Sequence, residues 1–292
     1  MLMLSCKKTE PEMPIFGPQE EEKEEQEEKK DDDILLEPKP CSNNVVAHRG
    51  GSAEKKCPDN SIAALKYTMS LGCMAMECDI LWTKDNNVIV HHGVSDGKVN
   101  GLHPSQHTLK EIRSAGVLSN GEQIPTLEEF LDVLMHDKNC CTKLWIETKN
   151  ITNKDLTSSE QENAIQNGFN RALEIIKEKK ADKFVEFNGT GRSAVFKKIY
   201  PVARSRGFNM SYAGAVPAST IKNNGWSWAN YDVSGKTAAE LKTTIDEYQA
   251  AGLMLSLYCL DNDATRNAVI PYKDKVKGML TNYPNALLNA MK

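Results

Sequence analysis

Four short stretches carry residue types suited to proton transfer and anion handling: His48-Arg49, Glu77-Cys78-Asp79, His91-His92 and Glu147-Thr148-Lys149. Each follows or interrupts an apolar run (Val45-Val46-Ala47, Met74-Ala75-Met76, Val88-Ile89-Val90, Leu144-Trp145-Ile146). In an extended strand alternate residues share a face, so Glu77 falls with Asp79, and Glu147 with Lys149. Acidic groups in apolar strands must be paired or bound to a cation. Three carboxylates converging on one place would repel unless a divalent ion sat among them, and all-oxygen donors suit Mg²⁺ or Ca²⁺. Two histidines nearby supply an acid and a base near neutral pH. Arg49 offers a donor fork for a phosphate oxygen, and Gly50 and Gly51 would let backbone approach a ligand closely. The chemistry read from these residues is metal-assisted cleavage of a phosphate ester.

Each feature alone has a plainer explanation: a core histidine bonded to a carbonyl, a solvated strand face, a surface ion pair worth little. The combination is what argues for a site, and it requires a scaffold that brings four strand ends together. From residue 44 strand candidates (45–48, 74–81, 88–91, 144–148, 184–187, 210–213, 231–233, 254–258, 278–280) alternate with helical ones (60–70, 126–135, 163–180, 193–200, 238–249, 264–270). Asn60 is positioned to cap the first helix. Thr126 and Glu129 form a capping-box pattern, and Gly72 and Gly252 stand at expected helix ends. Such alternation over about 250 residues indicates an α/β protein, a (β/α)₈ TIM barrel, whose chemistry gathers at the C-terminal ends of its strands. An open doubly wound sheet is the alternative, but no Gly-x-Gly-x-x-Gly follows the first strand.

Of 292 residues, 40% are apolar and 26% charged. Residues 1–43 hold thirteen acidic and six basic side chains, a net of −7, and the remainder is nearly neutral. A nucleic-acid footprint is not indicated. Residues 7–43, rich in Glu, Lys, Asp and Pro, read as a disordered acidic linker. Residues 1–6, MLMLSC, form an apolar run ending at a cysteine, followed by Lys7-Lys8. This resembles a bacterial lipoprotein cleavage box without its basic leader, with Cys6 lipidated and the linker as a tether. The expected location is then the bacterial cell envelope, periplasmic or surface-exposed, with the membrane a partner through that lipid alone. The eight cysteines show no Cys-x-x-Cys and no zinc-type spacing.

Taken in order, these motifs resemble the glycerophosphodiester phosphodiesterase family. The matching stretches are His48-Arg49-Gly50, Pro58-Asp59-Asn60-Ser61, Glu77-Cys78-Asp79, His91-His92, Pro125-Thr126-Leu127-Glu128-Glu129, Ile146-Glu147-Thr148-Lys149 and Thr281-Asn282-Tyr283-Pro284. The resemblance implies a barrel over 44–292 and hydrolysis of a small glycerophosphodiester to an alcohol and glycerol 3-phosphate. It implies His48 and His91 as the acid–base pair. Glu77, Asp79 and Glu147 would hold a divalent cation, Ca²⁺ or Mg²⁺, and Arg49, Lys149 and Asn60 would lie at the phosphate. Departures fall around this set: Asp59 for Glu, Ser61 for Thr, His92 for Asp, Tyr258-Cys259-Leu260-Asp261 where many members have Trp-Thr-Val-Asn, and Asn282 for Asp. They leave open a related phospholipase, or a catalytically silent phosphate-binding surface lipoprotein. Phe187-Asn188-Gly189 is a candidate pocket wall. Trp226 and Trp228 are read as packing on the barrel, with an apolar rim as the alternative.

Overall fold

A computed structural model describes residues 34–94, 97–149, 154, 156–189 and 193–292. Cys6, residues 1–6 and most of the acidic linker lie outside the described residues. The strands are β1 (Val45–Ala47), β2 (Ala75–Trp82), β3 (Val88–Val90), β4 (Lys143–Thr148), β5 (Val185–Asn188), β6 (Met210–Ala213), β7 (Trp228–Asp232), β8 (Leu255–Tyr258) and β9 (Gly278–Thr281). β1 pairs in parallel with both β2 and β9, which closes the sheet. β2, β4, β5, β6, β7, β8 and β9 follow one another in parallel. The result is the expected eight-stranded parallel barrel ringed by helices.

One of the nine strand candidates, 88–91, is not a stave of the barrel. β3 runs antiparallel to β2, with Ile80 opposite Val90. The 83–87 connection is far too short for a crossover helix, so the chain can only fold back. This return carries His91 down to Asp79, whose carbonyl accepts the His91 backbone N–H at 2.9 Å.

Helix starts follow side-chain caps. Thr126 and Glu129 form the expected reciprocal box at the helix Leu127–Met135. The helix Ser158–Glu178 begins five residues before its expected start, capped by Thr157 and Glu160. Its first turn is polar and shows no apolar stripe. The helix Ile62–Ser70 is capped by Ser61, whose hydroxyl accepts the Ala64 N–H at 3.0 Å, rather than by Asn60. Gly72 and Gly252 both adopt the left-handed backbone expected after a helix.

The floor of the barrel is aromatic. Trp145 and Trp228 meet with ring centroids 5.5 Å apart, and Lys277 lies over the Trp228 ring at 4.5 Å. Trp226 stacks on Tyr212 at 4.6 Å and meets Phe196 edge-on. Both tryptophans therefore pack. Residues 34–43 belong to the folded unit: the Leu35 N–H donates to the Met135 carbonyl and the Lys39 N–H to that of Cys140, both at 2.8 Å. Among the described residues no helix is long and apolar enough to cross a membrane.

Candidate active site

The parallel register assembles the acidic cluster. Asp79 on β2 lies directly beside Glu147 on β4, and Glu77 sits two residues below on the same face. Cys78, on the other face, joins the hydrophobic core. Ligand oxygens of Glu77, Asp79 and Glu147 all lie within 4.8 Å of one another. Burial, then the charges of Asp79 and Glu147, push the Glu77 carboxyl well above the ordinary range. Burial and Asp79 push Glu147 up to about 7. Asp79 moves the other way. Burial is the largest single influence and raises it, but Lys149, His92, Arg49 and a hydrogen bond from Asn60 together lower it. Asp79 Oδ1 is buried and accepts no hydrogen bond among the described residues; it faces Lys149 Nζ at 3.4 Å. Three crowded carboxylates with a free buried oxygen fit a hard divalent cation.

The turn after β1 answers to this cluster. Arg49, Gly50 and Gly51 have φ of 48°, 87° and 65°, so the chain reverses sharply as it leaves the barrel. Reversal brings the Arg49 N–H to Glu77 Oε2 at 3.1 Å. Packing alone requires the two glycines: a Cβ on Gly50 would meet Ala64 Cβ at 2.5 Å, and one on Gly51 would meet Pro284 Cγ at 2.5 Å. The Arg49 guanidinium lies 3.2 Å from Asp59 and 3.4 Å from Asp79. Lys149 Nζ lies 3.6 Å from Glu147.

The two histidines are held differently. His48 Nδ1 faces Asn282 Oδ1 at 2.8 Å, and its Nε2 lies 3.8 Å from Glu77 Oε2. His91 Nδ1 accepts the Gly93 N–H at 2.8 Å, which places the hydrogen of the neutral ring on Nε2. His92 Nδ1 donates to the Gly93 carbonyl at 3.0 Å. Burial lowers the pKa of both His91 and His92.

Asn60 was expected at the phosphate. The residue is 1% exposed, and its carboxamide is bonded to Asp79 through both ends: Nδ2 donates to Oδ2 at 2.9 Å, and Oδ1 accepts the Asp79 N–H at 3.1 Å.

A cavity of about 360 Å³ opens at the C-terminal strand ends. One side is charged (His48, Arg49, Glu77, Glu147, Lys149), and the other carries Asn188, Asn230, Tyr258 and Cys259. Asn188 thus reaches the pocket, as its strand-end position suggested. Its neighbours were not foreseen: Ser211 and Asn230 both donate to Asn188 Oδ1, and Ser256 donates to Asn230 Oδ1 at 2.8 Å. The register aligns these residues on adjacent strands. The signal available was an uncharged polar residue in each of four successive strands, Asn188, Ser211, Asn230 and Ser256.

Comparison with known proteins gives the family and the fold. The profile of the glycerophosphoryl diester phosphodiesterase family matches residues 48–286. A glycerophosphodiester phosphodiesterase of Caldanaerobacter subterraneus subsp. tengcongensis is 38% identical over 112 residues, which is 36% of this chain and 45% of that protein. The match thus spans less than half of that relative. Among solved structures, a glycerophosphodiester phosphodiesterase from Parabacteroides distasonis superposes with a TM-score of 0.67 at 21% identity, covering 87% of this chain and 98% of its own. An Oleispira antarctica phosphodiesterase, solved with the product sn-glycerol-3-phosphate, gives 0.64 at 17%, covering 85% and 96%. At such identities the structural likeness establishes the fold.

Proposed function

This chain belongs to the glycerophosphoryl diester phosphodiesterase family, and from that premise we propose that it hydrolyses glycerophosphodiesters to an alcohol and glycerol 3-phosphate. The observation that carries the reading is the trio Glu77, Asp79 and Glu147 beside two histidines whose hydrogen-bond partners differ.

Glu77, Asp79 and Glu147 would hold Ca²⁺ or Mg²⁺, which when bound polarises a phosphoryl oxygen. Arg49 and Lys149 line the cavity beside that trio and orient the phosphate. His48 takes the proton of the neighbouring glycerol hydroxyl at Nε2, and that oxygen attacks phosphorus. His91 acts as the imidazolium, its Nδ1–H turned away from the Gly93 N–H; it gives its Nε2 proton to the departing alcohol and is left neutral. Water then opens the cyclic phosphate with the two roles reversed, giving glycerol 3-phosphate. Asn60 holds Asp79. Lipid attachment at Cys6 and an envelope location remain part of the proposal. They rest on the apolar run ending in Cys6 and on the charged stretch behind it.

Two exposed apolar side chains, Val94 and Tyr283, sit three residues past His91 and next to Asn282. They favour, as a second reading, a substrate that keeps an acyl chain. The test is phosphomonoester release by the full chain, as glycerol 3-phosphate from a panel of glycerophosphodiesters and as lysophosphatidic acid from lysophospholipids, with Ca²⁺, Mg²⁺ or EDTA, beside His48→Ala. Metal-dependent release from the diesters that His48→Ala abolishes supports the first reading. Turnover confined to lysophospholipids supports the second. No turnover with metal bound overturns both and leaves a binding protein.

A further inference from the structure

We propose that Asp261 and Asn282 are positioning residues for His48: Asp261 turns the Asn282 carboxamide so that its oxygen fixes the Nδ1–H form of the imidazole and leaves Nε2 free to accept a proton. The inference rests on the reading of His48 as the base.

A carboxamide by itself has two nearly equivalent orientations, and only its partners distinguish them. The Asp261 carboxylate offers acceptors only. Its Oδ1 accepts the Asn282 backbone N–H at 2.8 Å and lies 3.1 Å from the Thr281 hydroxyl oxygen. Its Oδ2 lies 2.6 Å from Asn282 Nδ2. The group facing Asp261 must therefore be the NH₂, and Asn282 Oδ1 points to His48 Nδ1 at 2.8 Å. That oxygen only accepts, so Nδ1 carries the hydrogen. A neutral imidazole protonated there has its lone pair on Nε2, the nitrogen on the side of Glu77.

Cys259 Sγ stands 3.9 Å from the same Nδ1. The opposite tautomer would suit the thiol as a donor. It would also set the Nδ1 lone pair against the Asn282 oxygen at 2.8 Å, a repulsive contact with no compensating bond. The short bond decides the matter.

The fold makes the device stiff. Asp261 follows β8, Asn282 follows β9, and β9 pairs with β1, which His48 ends. The Leu260 N–H donates to the Leu280 carbonyl at 2.8 Å, and the Thr281 hydroxyl donates to the Leu260 carbonyl at 2.9 Å. Where related motifs place Asn first and Asp second, this chain has Asp261 first and Asn282 second. The pair persists with its order exchanged, and the carboxylate stands one residue further from the imidazole.

The experiment uses full chain labelled with ¹⁵N-histidine, with His48→Gln identifying the His48 resonances. The ring-nitrogen spectrum of the neutral imidazole should report Nδ1–H for His48 in the wild type and a mixture in Asn282→Ala. Asn282→Ala should lower kcat by about 10- to 100-fold, within what a general base contributes, and leave KM within about two-fold. The double exchange D261N/N282D should restore the Nδ1–H spectrum and recover kcat, which a merely structural role would not predict. An Nε2–H signal for wild-type His48 would overturn the proposal even if Asn282→Ala did not fold. So would an unchanged spectrum and kcat in a folded Asn282→Ala. Hydrolysis that survives in His48→Gln would instead overturn the catalytic reading of His48, while the tautomer result would stand.

Discussion

Asn60 grips Asp79 at both ends, its amide nitrogen on the carboxylate at 2.9 Å and its amide oxygen on the backbone N–H at 3.1 Å. The grip requires Asn60 to adopt a left-handed backbone, φ 56°, which asparagine tolerates better than most residues. It fixes which way Asp79 Oδ2 points and leaves Oδ1 without a hydrogen bond, 3.4 Å from Lys149 Nζ.

Asn60→Ala should therefore weaken divalent-cation binding by about 10- to 100-fold, the range for losing a partner that orients a ligand. Titration calorimetry with Ca²⁺ and Mg²⁺ on the folded variant measures it. If Asn60 contacted phosphate instead, the loss would appear in KM and the cation affinity would hold.

Without a cation the cluster opposes folding, with a definite pH dependence. Glu147 is raised from 4.5 to about 7. A carboxyl whose folded pKa lies above its unfolded one favours the folded state fully below the lower value, and that contribution is lost as pH rises between the two. In EDTA the melting temperature should fall between about pH 4.5 and 7, by an amount worth up to about 3 kcal/mol, and Glu77 adds in the same direction. Saturating Ca²⁺ or Mg²⁺ should raise the melting temperature strongly at pH 8 and little at pH 5. Equal stabilisation at both would show that the ion binds elsewhere. Glu147→Gln should flatten the EDTA profile.

The strand–helix alternation and the acidic pair were legible because a parallel barrel buries both faces of its strands, so Glu77 and Asp79 stood out against an apolar run. The antiparallel direction of β3 was legible in principle, from a connection too short to cross over. What stayed hidden depended on pairing between strands distant in sequence. Asn230 looked like a loop residue because β7 opens with Trp228 and Ala229 and was placed three residues too late. Asn60 looked like a helix cap because Asn and Ser are adjacent and either can cap; only its contact with Asp79, nineteen residues on, separates the roles.

Gly278 is required by shape. A Cβ there would meet Trp145 Cη2 at 2.5 Å and Trp145 Cζ3 at 3.1 Å, inside a floor already filled by Trp228. Gly278→Ala should cost about 1–3 kcal/mol by overpacking, read as a lower urea midpoint.

Lys149 separates two roles that a simple loss of activity would merge. Its ammonium lies 3.4 Å from Asp79 and 3.6 Å from Glu147, so it competes with a cation for the same carboxylates while standing ready for a phosphate oxygen. Lys149→Met keeps the bulk and removes the charge. Cation binding should then tighten by a few-fold, because like-charge repulsion is gone. kcat/KM for a glycerophosphodiester should fall by about 100-fold, as when one donor to developing charge is deleted. Opposite signs in calorimetry and kinetics would place Lys149 at the phosphate. A parallel loss of cation affinity and turnover would mean that Lys149 acts by holding the carboxylates in place, and its role at the substrate would have to be given up.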